Sequence, residues 1–444
     1  MSQTYSRRVA TNMVVANMIG TGIFTSIGFQ VAPDAIPDPF AILVIWMLGG
    51  ILSFFGATAY AEIATHFRES GGEYVYLSKL YHPILGLASG WVSLVVGFAA
   101  ASASLGLAAG EYLASALTPW LGTSPLPVSQ TVAILFVAVA VLIQFSGIQK
   151  GGWAQNILTF IKLGFILALI AIPLVALPEA LKSGVSWAPT ERSWDRIFSL
   201  SFAGSLVWVM FAYSGWNAAT YIVGNLKDPK RNLPRAVLLG TAIVTVLYMA
   251  LTAVFLYSAP MSELAGRVDV GNLVLERSLG LKAAQSFTLL FALTLLAGVN
   301  AMFMAGPRVV QRMGQDYALF RVFQKETAQG SPRNAILAQA LITVLFVLFT
   351  PFKDIIEYIG ITLTLFSLLT VFGVFLLRHK KQLGTDSVKT WGYPVTPILF
   401  LLAGLWMLLY FGLNDPWKLA ASLLTLLPAL LTYGIRRTNN EKLS

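Results

Sequence analysis

The sequence predicts an all-α integral membrane protein of twelve transmembrane helices, the first and sixth of them broken. Three observations lead there. Of 444 residues, 56% are hydrophobic and 11% charged, with a mean hydropathy of +0.72, whereas a soluble chain carries about 25% charged residues. Apolar runs long enough to cross a hydrocarbon core recur along the chain. They are read as spans at about 9–31, 41–65, 84–113, 128–148, 153–177, 198–223, 235–258, 283–306, 334–351, 355–377, 395–413 and 417–434. Small and polar residues interrupt two of these runs near their middles.

The net charge of +10 is explained by its distribution. With the N-terminus placed in the cytoplasm, and Arg235 and Lys418 at span edges counted with the nearer face, 21 of the 30 Lys/Arg lie inside, 8 outside and Lys162 within a span. The acids divide as 7 inside, 11 outside with Glu357 at its span's edge counted among them, and Glu62 and Glu111 in spans. The inner face is then about +14 and the outer about −3, the positive-inside pattern, and no nucleic-acid partner is needed. An even span count also puts the C-terminus inside. The expected location is the cell membrane, multi-pass, with both termini cytoplasmic. No cleavable signal peptide is read, because the first apolar run begins at Val9 and leads into motif-bearing sequence. The chain has no cysteine, which excludes disulfides, thiolate metal sites and cysteine nucleophiles. His66, His82 and His379 fall at or beyond helix ends, so neither a metal site nor a cofactor is expected.

Taken in order, the first span holds Asn17-Met18-Ile19-Gly20-Thr21-Gly22-Ile23-Phe24. Glycine costs about 1 kcal/mol against alanine in a helix interior, so the pair needs a reason. Close helix packing is one; a break that leaves backbone groups bare is the other. Glu62 and Glu111, near the ends of the second and third spans, read as solvated or capping. The fifth span carries Lys162, the one cation inside the membrane, at an insertion cost of roughly 2.5–3.5 kcal/mol. Snorkelling would explain it, since it lies about two turns from the inner end. A functional role is favoured, with its ammonium on carbonyls freed at the first break, in place of a coupling sodium or as a proton site. The sixth span contains Phe211-Ala212-Tyr213-Ser214-Gly215-Trp216-Asn217. Asn232 with Pro234 is expected to open the seventh span at 235, and Ser331-Pro332 the ninth at 334. No soluble domain is expected. The outer stretch SELAGRVDVGNLVLERSLG reads either as one or two short helices over the outer surface or as a plain loop.

Gly20 and Ser214 lie 194 residues apart, about the length of five spans. Interrupted helices at matching positions of two halves point to a transporter site between inverted repeats. Five is odd, so the second half inserts with opposite topology and the two interruptions face each other near the midplane. This favours the break over simple packing. A break at Gly20 and Gly22 bares N–H groups at the positive end of a half-helix, which suit a carboxylate. Carbonyls around Met18 and Ile19, and near Phe211 and Ser214, suit an ammonium. A ligand bearing both charges on adjacent atoms is an α-amino acid.

Together these residues resemble the amino acid–polyamine–organocation superfamily, and within it bacterial relatives of the L-type amino acid transporters. The resemblance covers almost the whole chain. It rests on NMIGTGIF at 17–24, RESGGEYVYL at 68–77, Lys162 in AQNILTFIKL, FAYSGWN at 211–217, DPKRNLPRA at 228–236 and WGYPVTPILF at 391–400. It implies the LeuT-like fold, two inverted five-helix repeats plus two C-terminal helices, divided here as 1–180, 181–380 and 381–444. It also implies sodium-independent transport by alternating access. Ile19, Thr21 and Gly22 resemble the first-helix contacts to the substrate amino and carboxyl groups. Phe211 resembles the aromatic lid or gate, Ser214 and Trp216 the opposite side of the pocket, and Lys162 the lysine in the sodium position. Ser70-Gly71-Gly72 with Tyr74 matches a cytoplasmic loop motif of structural or gating role. Gly224-Asn225 stands where many relatives carry acids, which puts an inner salt-bridge gate in doubt. Animal L-type transporters join a single-pass partner through a cysteine; lacking one, this chain is expected to work without a covalently attached subunit.

The leading expectation is therefore an amino acid transporter, not an enzyme, working as an exchanger or a proton-coupled symporter. A neutral substrate is favoured because no acid is seen near the breaks. The alternative is an amine or polyamine transporter of the same fold, which would want such acids. A channel should show repeated polar rings, and a metalloprotease an HExxH motif; the chain has neither.

Overall fold

A computed structural model describes residues 5–69, 71–121, 127–327, 330–380 and 388–433. Helix dominates, and the one β-type pairing among the described residues is a single bridge between Tyr5 and Leu226. The first span is two helices, α1 (Arg7–Met18) and α2 (Gly22–Gln30). Then come α3 (Pro39–Phe67), a short α4 (Glu73–Leu80) and α5 (Pro83–Val92), which runs through a π-helical stretch at Ser93–Ala100 into α6 (Ala101–Leu121). Next are α7 (Val128–Phe145), α8 (Ile148–Ala176) and α9 (Glu191–Ile197), which meets α10 (Leu200–Tyr213) at 68°. After a 3-10 stretch at Ala218–Asn225 follow α11 (Pro229–Ser258), α12 (Met261–Leu264), α13 (Val270–Leu279) and α14 (Leu281–Asp316). The chain closes with α15 (Arg333–Phe349), α16 (Phe352–His379), α17 (Val395–Asn414) and α18 (Pro416–Leu424).

Local chemistry sets the helix starts. Ser6 caps α1, Asp38 caps α3 just ahead of Pro39, and Ser199 caps α10, each by accepting from a first-turn N–H. The Thr190 cap of α9 is reciprocal with Ser193, whose hydroxyl also bonds Asp38 at 2.9 Å and ties α9 to α3.

Among the described residues, nine helical stretches are long and apolar enough to cross a membrane, or ten with the bent α9–α10 pair as one span. The chain is thus a multi-pass membrane protein. Of the twelve expected places, the ninth and twelfth hold helices too short to count among these, α15 with 17 residues and α18 with nine. The seventh begins earlier than Asn232 and Pro234 suggested: α11 starts at Pro229, and Asn232 lies inside it, bonded to the Lys227 carbonyl. Proline is tolerated in a helix's first turn, so Pro229 can open α11, whereas Pro234 lies inside the helix.

The stretch from Met261 folds into α12 and α13 and does not lie over the surface. Val270–Leu275 are buried, the Gly266 N–H donates to the Gly28 carbonyl at 2.8 Å, and the Gly271 N–H to the Tyr112 hydroxyl at 3.1 Å. The stretch is a plug over the far end of α2. Below it, α2 and α10 zip together in steps of about one turn. A Cβ added to Gly22 would stand 2.4 Å from the Ala212 Cα, Ser26 reaches the Trp208 carbonyl at 3.5 Å, and Gln30 the Ser205 carbonyl at 3.3 Å. At the end away from the N-terminus, α2 and α10 are therefore closed on each other.

Glu62 departs from its expectation. It is fully buried, bound at both oxygens by Arg378 of α16 at 2.9 and 2.8 Å, and it accepts from the Thr390 N–H at 2.6 Å. The Arg378 guanidinium also lies 3.7 Å from the Tyr393 ring centroid. This clamp joins α3, α16 and the approach to α17, and burial is tolerable because the carboxylate is paired and hydrogen-bonded. Glu111 is exposed.

Candidate functional site

The first interruption is occupied by the protein's own donors. Helix α1 stops at Met18, and Ile19 leaves helical geometry at φ −75°, ψ 90°. Lys162 of α8, almost fully buried, donates to the Ile19 carbonyl at 2.6 Å and the Ala16 carbonyl at 3.3 Å. Its ammonium does not snorkel to either face. The Tyr248 hydroxyl of α11 sits between the Met18 and Ala212 carbonyls, at 2.6 and 3.0 Å, so that one proton serves both interrupted spans. The N–H groups at the start of α2 fare differently. No i−4 carbonyl reaches the first of them, the Thr21 side chain does not cap them, and the buried Thr21 hydroxyl finds no partner among the described residues.

The second interruption opens onto space. After Tyr213 the chain turns through Ser214 at ψ 149° and Gly215 at φ +99° into the 3-10 stretch. Gly215 has no alternative: its φ disfavours side chains, and a Cβ there would lie 2.8 Å from the Asn17 carbonyl carbon. The two breaks thus abut, Gly22 on Ala212 and Gly215 on Asn17. On the N-terminal-face side of this seam is a cavity of about 120 Å³. That holds roughly ten water-sized spheres, a number close to the non-hydrogen atoms of a mid-sized amino acid. Met13 and Asn17 of α1, Phe98 of the π-helical stretch, Leu363 of α16 and Phe400 of α17 are among its walls.

Of the residues expected at the site, Phe211, Ser214 and Trp216 line the cavity. The Trp216 ring meets Tyr60 edge-on at 4.7 Å and Phe400 at 6.3 Å. Ile19, Gly20, Thr21 and Gly22 lie at the seam, outside the lining. Ile19 gives its carbonyl to Lys162, Gly22 is the close-packing point, and Gly20 has ordinary space, its nearest neighbour 3.8 Å from an added Cβ. Ser70 lies outside the described residues, as does the side chain of Asn225. Tyr74 turns away to bond Asp316 at 2.6 Å.

The expectation that no acid approaches the breaks does not hold. Glu73 lines the cavity, the one charged side chain to do so among the described residues. The segment between the second and third spans folds inward as α4, which buries Glu73 beneath the sixth-span break. Its carboxylate accepts from the Tyr60 hydroxyl and from Asn217 Nδ2 at 3.4 Å. Burial pushes the carboxyl up to about 7, against the pull of these two bonds. Sequence reasoning also missed Tyr248 and the π-helical widening at Ser93–Ala100, a feature frequent at functional sites. A tyrosine inside an apolar span was the available signal, because its hydroxyl must find a partner there. Among the described residues, no group of three or more His, Asp or Glu could hold a metal ion.

Residues 6–427 match the family described as amino acid permease. The chain belongs to that family. Its members are transporters, not enzymes. This permease is 27% identical over 434 residues to the b(0,+)-type amino acid transporter 1 of Mus musculus, covering 95% of this chain and 85% of that protein. It is 26% identical over 436 residues to the serine/threonine exchanger SteT of Bacillus subtilis (strain 168), covering 96% and 95%. With the large neutral amino acids transporter small subunit 2 of Oryctolagus cuniculus it shares 26% over 433 residues, 96% of this chain and 78% of that protein.

Proposed function

We propose that this permease carries neutral amino acids across the cell membrane by alternating access, without sodium, as an exchanger or a proton-coupled symporter. Both termini face the cytoplasm, and no covalently attached subunit is needed. The twelve spans form two inverted repeats, 1–180 and 181–380, followed by a C-terminal pair in 381–444. The substrate carboxylate takes the free N–H groups of α2 with the Thr21 hydroxyl. Its ammonium takes carbonyls at the sixth-span break near Phe211 and Ser214, and its side chain lies among the apolar walls beside Trp216. Phe211 acts as the gate. Lys162 holds the first break in the place a sodium ion would fill, or carries the coupled proton.

One observation carries this reading: two interrupted spans abut, and a partly open, largely apolar cavity begins at their junction. With the seam of α2 and α10 closed and the cavity on the N-terminal side, the conformation is inward-facing. The α12–α13 plug then belongs to the outer gate. The test is radiolabelled uptake of leucine, serine and threonine into proteoliposomes, with and without sodium, internal amino acid and a pH gradient. Sodium-independent uptake stimulated by internal amino acid marks an exchanger, and stimulation by an inward proton gradient marks a symporter. Absence of uptake under every condition contradicts the reading.

A further inference from the structure

We infer that the N-terminal face carries a binding site for the headgroup of an anionic phospholipid, built by the cations at the starts of α1 and α11. The inference needs only that the chain spans a membrane, and it is independent of what the chain carries. Five exposed cations are involved: Arg7 and Arg8 on α1, Lys227 just before α11, and Arg231 and Arg235 on it. Distant in sequence, the two groups are joined by backbone. Tyr5 and Leu226 pair as a parallel bridge, and the Lys227 N–H donates to the Tyr5 carbonyl at 2.9 Å.

The helices that follow stay together and run in one direction. A Cβ added to Gly240 would stand 2.6 Å from Val14 and 3.5 Å from the Thr11 carbonyl oxygen, and two turns further along α11 Tyr248 reaches the Met18 carbonyl. Arg7 lies four residues before Thr11, as Ala236 does before Gly240. Arg7, Arg8 and Arg235 therefore lie at about one depth, with Arg7 on the face of α1 that meets α11.

Like charges crowded in this way repel unless an anion sits among them. Asp228 is the one acid in residues 5–9 and 226–239, and none of the five cations is in an ion pair among the described residues. A phosphodiester supplies the missing charge and accepts the paired N–H groups of a guanidinium. Depth favours a lipid over a free phosphate. No charged residue stands between Arg235 and the end of α11 at Ser258, so Arg235 marks the edge of the hydrocarbon. Along α11, Arg231, Arg235, Leu239 and Val246 follow at intervals of four, four and seven, which puts them on one face. Leu239 and Val246 are exposed. A headgroup held by the arginines thus lays its chains along an apolar strip, and it ties α1, the first part of the broken span, to α11.

The test is thermal unfolding of the purified full-length protein in neutral detergent, titrated with phosphatidylglycerol, phosphatidylcholine or inorganic phosphate. Phosphatidylglycerol should raise the unfolding midpoint of wild type at concentrations where the other two do not. Arg231→Gln/Arg235→Gln should need at least about tenfold more phosphatidylglycerol for the same shift, the loss expected for two cations at a membrane surface. A matched control, Arg321→Gln/Lys325→Gln, removes two exposed cations elsewhere on the face that the sequence places inside. It should respond to phosphatidylglycerol as wild type does. Equal shifts from phosphatidylglycerol and phosphatidylcholine overturn the inference. So does a control that loses as much as the variant, because the face would then attract lipid by its overall charge alone. An equal shift from inorganic phosphate also overturns it, in favour of a free-anion site. If Arg231→Gln/Arg235→Gln does not fold, Arg7→Gln/Arg8→Gln should show the same loss, and a wild-type response there contradicts the site. None of these readouts depends on uptake, so failure of the proposed transport is a separate result.

Discussion

The two interruptions abut but use their bare backbone in opposite ways. At the first, Lys162 holds the Ile19 and Ala16 carbonyls, and Tyr248 holds that of Met18. At the second, the chain swings out through Ser214 and Gly215 and becomes the wall of a cavity. An unsatisfied amide group in hydrocarbon costs several kcal/mol, so every break needs partners. The carbonyls of the first find them within the protein and make it a braced joint, which leaves only the first N–H groups of α2 for a substrate. The other leaves its surroundings for a guest. A broken helix in a membrane is therefore not by itself a binding site; what fills the gap decides.

This contrast predicts that changes at the joint lower rate, whereas changes at the cavity raise the substrate concentration needed. The largest effect belongs to Gly22→Leu. With Ala212 at the contact distance described, a branched side chain blocks closure of α2 on α10. Uptake should fall to background while the protein still elutes as a single folded species on size exclusion. Normal uptake would separate the seam from transport.

Next comes Lys162→Ala, which strands two carbonyls in an apolar setting at about 1–3 kcal/mol each. Maximal uptake should fall by about thirtyfold or more, the low end of that range at about 1.4 kcal/mol per factor of ten, with KM little changed. Full activity at every pH would remove Lys162 from the mechanism.

At the cavity, pH should act through Glu73. Burial pushes its carboxyl up to about 7, so it is mostly protonated at pH 6 and mostly ionised at pH 8. Uptake should change by up to about tenfold across that range, the change in ionised fraction, and Glu73→Gln should flatten the profile. A wild-type profile already flat from pH 6 to 8 would show that its charge plays no part in transport. The smallest effect is expected for Ser214→Ala: a KM raised about three- to tenfold, the worth of one hydrogen bond, with maximal rate nearly constant. A fall in rate alone would place Ser214 at the joint.

How much of this the sequence disclosed follows the same division. Both interruptions could be read because glycine and serine stand out in an apolar run, and the spacing of Gly20 and Ser214 paired them. The contact of Lys162 with the first break followed from the rule that an intramembrane cation needs acceptors nearby. What stayed hidden depends on contacts between distant segments. Glu62 and Arg378 are separated by 316 positions, so a fully paired carboxylate looked like a solvated one. Glu73 read as a loop residue because nothing local announces that α4 folds under the sixth-span break. Tyr248 was one aromatic among many.

Because the native chain contains no cysteine, Ser214→Cys places a unique thiol in the cavity wall. The decisive measurement is its rate of modification by a small water-soluble thiol reagent in reconstituted protein, with and without a saturating transported amino acid. The account predicts that the amino acid slows labelling of the introduced thiol severalfold. Labelling at the same rate with the site saturated would contradict the claim that substrate sits where the two broken spans meet.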